Sequence, residues 1–248
     1  MKVIAAAKKA TLVAGLLTLG TGNAWNEGGG EQDEALTLTP DRDRGIAVYE
    51  VCSACHLLEG WGQKDGTFPQ LAGQHRRVLV KQLADIRAGN RDNPTMYPFA
   101  LDDQIAAAAG YHEGEIKPAQ LVADVTAYMA KLPMNPDNGK GPWNELFPEF
   151  EQGKKLYEAN CVECHGENGE GSDEKFYPKI QGQHYEYMLR QFEWIRDGKR
   201  RNANPDMVKQ IESFSDKDMQ MVINYTSRIP VPKEDLAPSV DYQNPDYD

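Results

Sequence analysis

The sequence predicts an all-α chain made of two similar domains in tandem, on three observations. A C-x-x-C-H motif occurs twice and uses every cysteine in the chain. The residues around the two copies repeat in register. Each copy closes on apolar residues at three- and four-residue steps, and no convincing run of alternating, strand-like residues is present. Composition agrees: 248 residues is enough for two domains of about 100–125. A mean hydropathy of −0.65 excludes a bundle of membrane spans, and 4 Trp, 11 Tyr and 7 Phe imply packed cores. Acidic residues outnumber basic ones 38 to 27, for a formal charge of −11, and the body has no basic run. That balance argues against a nucleic-acid groove.

In chain order, residues 1–24 read as a cleaved secretory signal. Lys2, Lys8 and Lys9 give a positive start, Ala10 to Leu19 an apolar run too short to span a bilayer, and Gly22-Asn23-Ala24 a small-residue cleavage site. Removing these residues takes away three lysines and no acid, moving the formal charge from −11 to −14. Residues 25–40 follow as an N-terminal extension. The first domain covers 41–133. Asp41 or Asp43 caps a helix running towards Cys52, a middle helix covers His75 to Ala88 with Gly89 as its left-handed stop, and the closing helix runs from Leu121 to Leu132. Residues 134–148, with three Pro and two Gly, form a linker whose Trp143, Leu146 and Phe147 call for a packing surface. The second domain, 149–230, repeats the pattern with helices from Glu149 to Asn160, His184 to Asp197 and Met219 to Ile229, and with Gly198 as the stop. An acidic, proline-containing tail, 231–248, is expected to be extended or disordered, with Tyr242 and Tyr247 as docking aromatics.

The chemistry lies in Cys52-Ser53-Ala54-Cys55-His56 and Cys161-Val162-Glu163-Cys164-His165. Export would permit two disulfides, but the matched C-x-x-C-H spacing argues otherwise. A thioredoxin-like site wants a βαβ setting that neither pair has, and a zinc site would account for one pair at most. Two cysteines a short turn apart match the separation of the haem vinyl groups, to which they add as thioethers. The next residue then falls beneath the porphyrin as proximal iron ligand. The expectation is two covalently bound haem c groups, on Cys52 and Cys55 with His56, and on Cys161 and Cys164 with His165.

The repeat extends well beyond the motifs. Gly45 and Tyr49 correspond to Gly153 and Tyr157. At a constant offset of 109, Pro69 matches Pro178, Gly73-Gln74-His75 matches Gly182-Gln183-His184, Gln82 matches Gln191, and Gly89, Arg91 and Asn93 match Gly198, Arg200 and Asn202. With two C-x-x-C-H copies, each followed by an F/Y-P-x-L/I-x-G-Q-H segment, a Q-L/F helix, a G-x-R stretch and a methionine, residues 41–230 resemble the dihaem cytochrome c₄ family. The resemblance implies two fused class I cytochrome c folds with haems facing each other across the domain interface, in a periplasmic electron carrier. The first copy departs by about 14 extra residues, around Ala106 to Lys117.

A class I fold needs a distal iron ligand from the later part of each domain. Met96 and Met207, after the G-x-R stretches in proline-containing loops, are the candidates, and a thioether suits a ligand that must tolerate both iron states. Bis-histidine ligation through His75 and His184 is the competing arrangement, although their matched positions also fit a shared structural role. Pro69 and Pro178 lie where the family uses a proline carbonyl to hold the proximal histidine. Gly45 with Tyr49, and Gly153 with Tyr157, are expected to meet the closing helices near Tyr128 and Tyr225. Arg87 and Arg196 are either propionate partners or surface arginines. The functional expectation is a periplasmic carrier of single electrons between a respiratory donor complex and a terminal oxidase or reductase, with peripheral membrane association compatible. A haem redox enzyme (a peroxidase or sulfur-compound dehydrogenase) and a fixed subunit of a larger respiratory complex are the alternatives.

Overall fold

In the computed structural model, residues 29–112 and 114–247 are described; the expected signal segment lies outside them. Among the described residues the regular elements are all helical, with two isolated bridges, Met134 to Leu236 and Ser172 to Tyr177. The helices are α1 (Gly30–Thr37), α2 (Arg42–His56), α3 (Arg76–Arg87), α4 (Asp102–Ala108), α5 (Pro118–Met129), α6 (Pro148–Asn160), α7 (Val162–His165), α8 (Tyr185–Arg196), α9 (Pro205–Ile211) and α10 (Asp216–Thr226). Two separate apolar cores result, one around Tyr49, Val80, Leu121 and Tyr128, the other around Tyr157, Phe192, Ile211 and Met219.

Local chemistry sets the helix ends. Asp41 caps α2 by accepting from the Arg44 N–H at 2.9 Å. Pro118 and Pro148 occupy first-turn positions of α5 and α6, where a missing N–H costs nothing. Ser215 and Asp218 close a reciprocal capping box at the start of α10. Gly89 and Gly198 sit at φ 73° and 69° just past α3 and α8, as expected of left-handed stops. The closing helices begin three residues earlier than the apolar pattern suggests, because the cap signals rather than the apolar stripe fix their starts.

In each domain the first helix crosses the closing one: α2 on α5, and α6 on α10. The crossings are close because a glycine lies at each. A Cβ on Gly45 would lie 2.6 Å from the Asp124 carbonyl oxygen, and one on Gly153 closer still to the Met221 carbonyl oxygen. The ring pairs Tyr49–Tyr128 and Tyr157–Tyr225 pack beside them in tilted geometry, with centroids 5.4 and 5.5 Å apart.

Three stretches hold structure that the sequence reading left open. The N-terminal extension contains α1, whose Ala35 is fully buried in the first core and whose Glu31 pairs with Arg87 at 2.8 Å. The insertion is divided: Ala106–Ala108 complete α4, with Ile105 and Ala106 in the core, and a loop then leads to α5. The tail is ordered rather than loose. It bridges Met134 through Leu236, sets Tyr242 against Trp61, and returns to the first domain. There the buried Asn244 donates to the Leu58 carbonyl (2.7 Å) and the Tyr128 hydroxyl (2.8 Å), and the Tyr247 hydroxyl donates to the Ile46 carbonyl. Tyr242 and Tyr247 dock as expected, and the paired polar groups of Asn244 add to their hold. The linker likewise packs on the second domain, where Asn224 bonds both backbone groups of Trp143.

The domains meet across a near-two-fold seam made by the repeated G-Q-H segments. Gln74 donates to the Lys179 carbonyl (2.8 Å) and accepts from the Lys179 N–H (2.9 Å). Gln183 does the same to Gln70, at 2.9 and 3.0 Å. The Nε2 atoms of His75 and His184 reach the carbonyls of Glu170 and Trp61, both at 2.7 Å. These histidines stand at the N-cap positions of α3 and α8 but make no side-chain cap bond there; their shared role is the seam.

Candidate haem sites

The first motif is the last turn of α2. Cys52 and Cys55 are half-buried and His56 is buried. The second motif straddles a break: α6 ends at Asn160, Cys161 takes φ −117°, and α7 then carries Cys164 and the buried His165. No disulfide joins any of the four cysteines. Burial pushes the Cys52 and Cys161 thiols up to about 12, opposite to the lowered value a redox C-x-x-C nucleophile needs. Among the described residues no three His, Cys, Asp or Glu side chains gather as metal ligands.

Both proximal rings are fixed in the same way. His56 Nδ1 lies 2.9 Å from the Pro69 carbonyl oxygen and His165 Nδ1 lies 3.1 Å from that of Pro178. A carbonyl can only accept, so Nδ1 carries the proton and Nε2 keeps its lone pair. Burial holds both imidazoles below the ordinary histidine value, and the Arg91 charge adds to this at His56. Each returning loop comes close because Gly62 (φ 66°) and Gly171 (φ 67°) stand where a side chain would run into the carbonyls of Phe68 and Pro69, or of Tyr177 and Pro178. A buried neutral imidazole with a fixed tautomer, beside two thiols on one turn, fits covalent haem c.

Met96 and Met207 are each partly buried against the core of their own domain. Met96 lies in a turn, its N–H bonded to the Asn93 carbonyl at 3.1 Å, just before a 3₁₀ turn at Tyr97–Ala100. Met207 is in the first turn of α9 rather than in a loop, because Asn204 caps and Pro205 starts a short helix. Arg87 is occupied by Glu31 and Asp102, and Arg196 by Asp197 and Asp216, so neither is free for a propionate. Two arginines at the seam, Arg91 and Arg200, share the Oε1 atoms of Gln82 and Gln191. Sequence reasoning saw their repeat but not their meeting; the signal was that Gln82/Gln191 and Arg91/Arg200 recur together.

Comparison with known proteins agrees with this geometry. The Cytochrome c family model matches residues 43–133 and 150–228. The chain is 31% identical over 226 residues to cytochrome c4 of Stutzerimonas stutzeri, covering 86% of this chain and 96% of that protein. It is 30% identical over 189 residues to the thiosulfate dehydrogenase electron acceptor of Stutzerimonas stutzeri strain A1501, covering 72% and 78%. The crystal structure of reduced recombinant cytochrome c4 from Pseudomonas stutzeri superposes with a TM-score of 0.61 at 28% identity, over 77% of this chain and all of that one. Two cytochrome c folds, each with a C-x-x-C-H motif and a carbonyl-held histidine, place the chain in the dihaem cytochrome c4 family, as an electron carrier with two covalently bound haem c groups.

Proposed function

We propose that the protein is an exported, periplasmic carrier that passes single electrons from a respiratory donor complex to a terminal oxidase or reductase. His56 and Met96 would hold one iron, and His165 and Met207 the other. The observation that carries this reading is the paired His–Pro bond, which in both domains leaves Nε2 free on a ring that cannot turn. The bis-histidine alternative loses support because the His75 and His184 rings are bonded to backbone across the seam, His184 through both nitrogens. When bound, haem supplies the ferric/ferrous couple, and methionine–histidine ligation raises its potential. The chain's own part is to hold ligands that suit both oxidation states and to exclude water. Arg91 and Arg200, paired with no carboxylate among the described residues, offer the propionates a cationic seam.

Location is inferred from the N-terminal pattern. No helix among the described residues is long and apolar enough to cross a membrane. A pyridine haemochrome spectrum should count two haems per chain. The weak near-infrared thioether–iron band of the ferric protein should lose one component in Met96→Ala and the other in Met207→Ala; a variant that left both intact would remove that methionine from the ligand set. With a formal charge near −14 after signal removal, electron transfer to a basic acceptor should slow as salt rises. A sulfur-compound dehydrogenase is the second candidate donor, favoured by the 30% identity to a thiosulfate dehydrogenase electron acceptor. Rapid reduction by that class of enzyme and thiosulfate would select it.

A further inference from the structure

The carbonyl that holds each proximal histidine belongs to a peptide unit whose other end is gripped by the opposite domain. The Pro69 carbonyl accepts from His56, and the N–H of the same Pro69–Gln70 peptide donates to Gln183 Oε1 at 3.0 Å. Gln183 Nε2 also donates to the Gln70 carbonyl at 2.9 Å, so its carboxamide clamps Gln70 from both sides. The arrangement is mirrored: the Pro178–Lys179 peptide holds His165 through its oxygen and donates to Gln74 Oε1 at 2.9 Å, while Gln74 Nε2 bonds the Lys179 carbonyl at 2.8 Å.

Because a peptide unit is planar, fixing its N–H fixes the direction of its C=O. An accepted N–H bond also polarises the carbonyl and strengthens the bond that its oxygen makes. Both effects end on Nδ1 of the proximal ring. We propose that Gln183 and Gln74 are positioning residues acting in trans, each setting the orientation and basicity of the proximal histidine in the other domain and thereby the reduction potential of the other domain's haem. The proposal rests on His56 and His165 being the iron ligands. It gives the seam a redox role: neither domain sets its own histidine alone.

A weaker hydrogen bond to Nδ1–H leaves the imidazole less electron-rich, favouring the ferrous state. Gln183→Ala should therefore raise the potential of the first-domain haem and leave that of the second unchanged; Gln74→Ala should do the reverse. The direct readout is proton NMR of the ferric holoprotein, in which the hyperfine-shifted ring Nδ1–H of each ligating histidine is followed during exchange into D₂O. In Gln183→Ala the His56 proton should exchange at least tenfold faster while the His165 proton keeps its wild-type rate. Gln183→Glu, which keeps an acceptor for the Gln70 N–H, should give a smaller change at the same ring and provides the test if the alanine variant does not fold. Absence of shifted ring protons in the wild-type protein would defeat the ligation reading itself. Shifted protons that respond in neither variant, that respond in the substituted residue's own domain, or that respond equally in both would overturn the trans assignment.

Discussion

The two domains solve one geometric problem with different local means. In the first, Cys52 lies three positions after Tyr49, and α2 runs unbroken through the motif; in the second, Cys161 lies four positions after Tyr157, and the helix breaks at Cys161. Within a continuous helix one added residue would turn the motif by about 100° relative to the crossing glycine. The break absorbs that residue. The bond fixing the far end is the same in both: the Tyr49 hydroxyl donates to the Leu57 carbonyl at 2.8 Å and the Tyr157 hydroxyl to the Gly166 carbonyl at 2.7 Å. Site geometry thus depends on this tertiary anchor and on the His–Pro bond, and tolerates a change in helix continuity.

A second difference lies in what seals each crossing. In the first domain the buried Asp124 accepts from the Asp41 N–H (2.7 Å), Arg44 Nε (2.8 Å) and Gln120 Nε2 (2.8 Å). At the corresponding crossing the second domain has Met221. Asp124→Ala should have the largest effect on this comparison, costing about 3 kcal/mol because it strips the partners from three donors around a buried site. Met221→Ala should cost about 2 kcal/mol, through lost packing alone. Denaturant unfolding of the holoprotein measures both, and equal losses would mean that the ionic seal adds nothing.

Alanine at the crossing glycines should come next, at roughly 1–3 kcal/mol each. Gly153→Ala should be the worse of the two, because its new methyl meets the Met221 carbonyl more closely than that of Gly45→Ala meets Asp124. Reversal of that order in thermal melts would show that the broken α6–α7 segment gives way more easily than continuous α2.

One seam histidine provides a pH test. His184 is fully buried, takes the Gly139 N–H on Nδ1 at 3.0 Å, and is held below the ordinary histidine value chiefly by desolvation. With a depressed native value, its contribution is complete above the unfolded value near 6.5 and is lost as pH falls through that range towards the native value. Stability should therefore be level above about pH 7.5 and decline in mild acid, and His184→Gln should remove part of that decline.

The smallest expected effect has the opposite sign. Leu57 holds φ 65° and ψ 161°, where its counterpart Gly166 holds 77° and 170°. A leucine in that region is strained, so Leu57→Gly should stabilise by about 1 kcal/mol, read as a higher denaturation midpoint. A lower midpoint would show that the leucine side chain contributes more than its backbone costs.

The resemblance to the cytochrome c₄ family pointed to the carbonyl partners Pro69 and Pro178. The sequence by itself determined the all-helical class, the two-domain repeat, the C-x-x-C-H motifs and the glycine crossings, each written in residues that recur at fixed spacing, so that pattern alone exposes them. Tertiary structure decided the rest. The G-Q-H repeat was visible, but that Gln74 and Gln183 reach into the opposite domain depends on how two folded units dock, which no local period encodes. The tail's aromatics could be read as docking groups, but not their surface: Asn244 and Tyr247 bond to Leu58, Tyr128 and Ile46, which lie 116 to 201 positions earlier in the chain. Arg87 and Arg196 are the propionate candidates in sequence, but Glu31 and Asp102 occupy the first and Asp197 and Asp216 the second, while Arg91 and Arg200 turn into the seam. A long side chain's partner is set by which charges the fold brings within reach of it, and that is a property of packing.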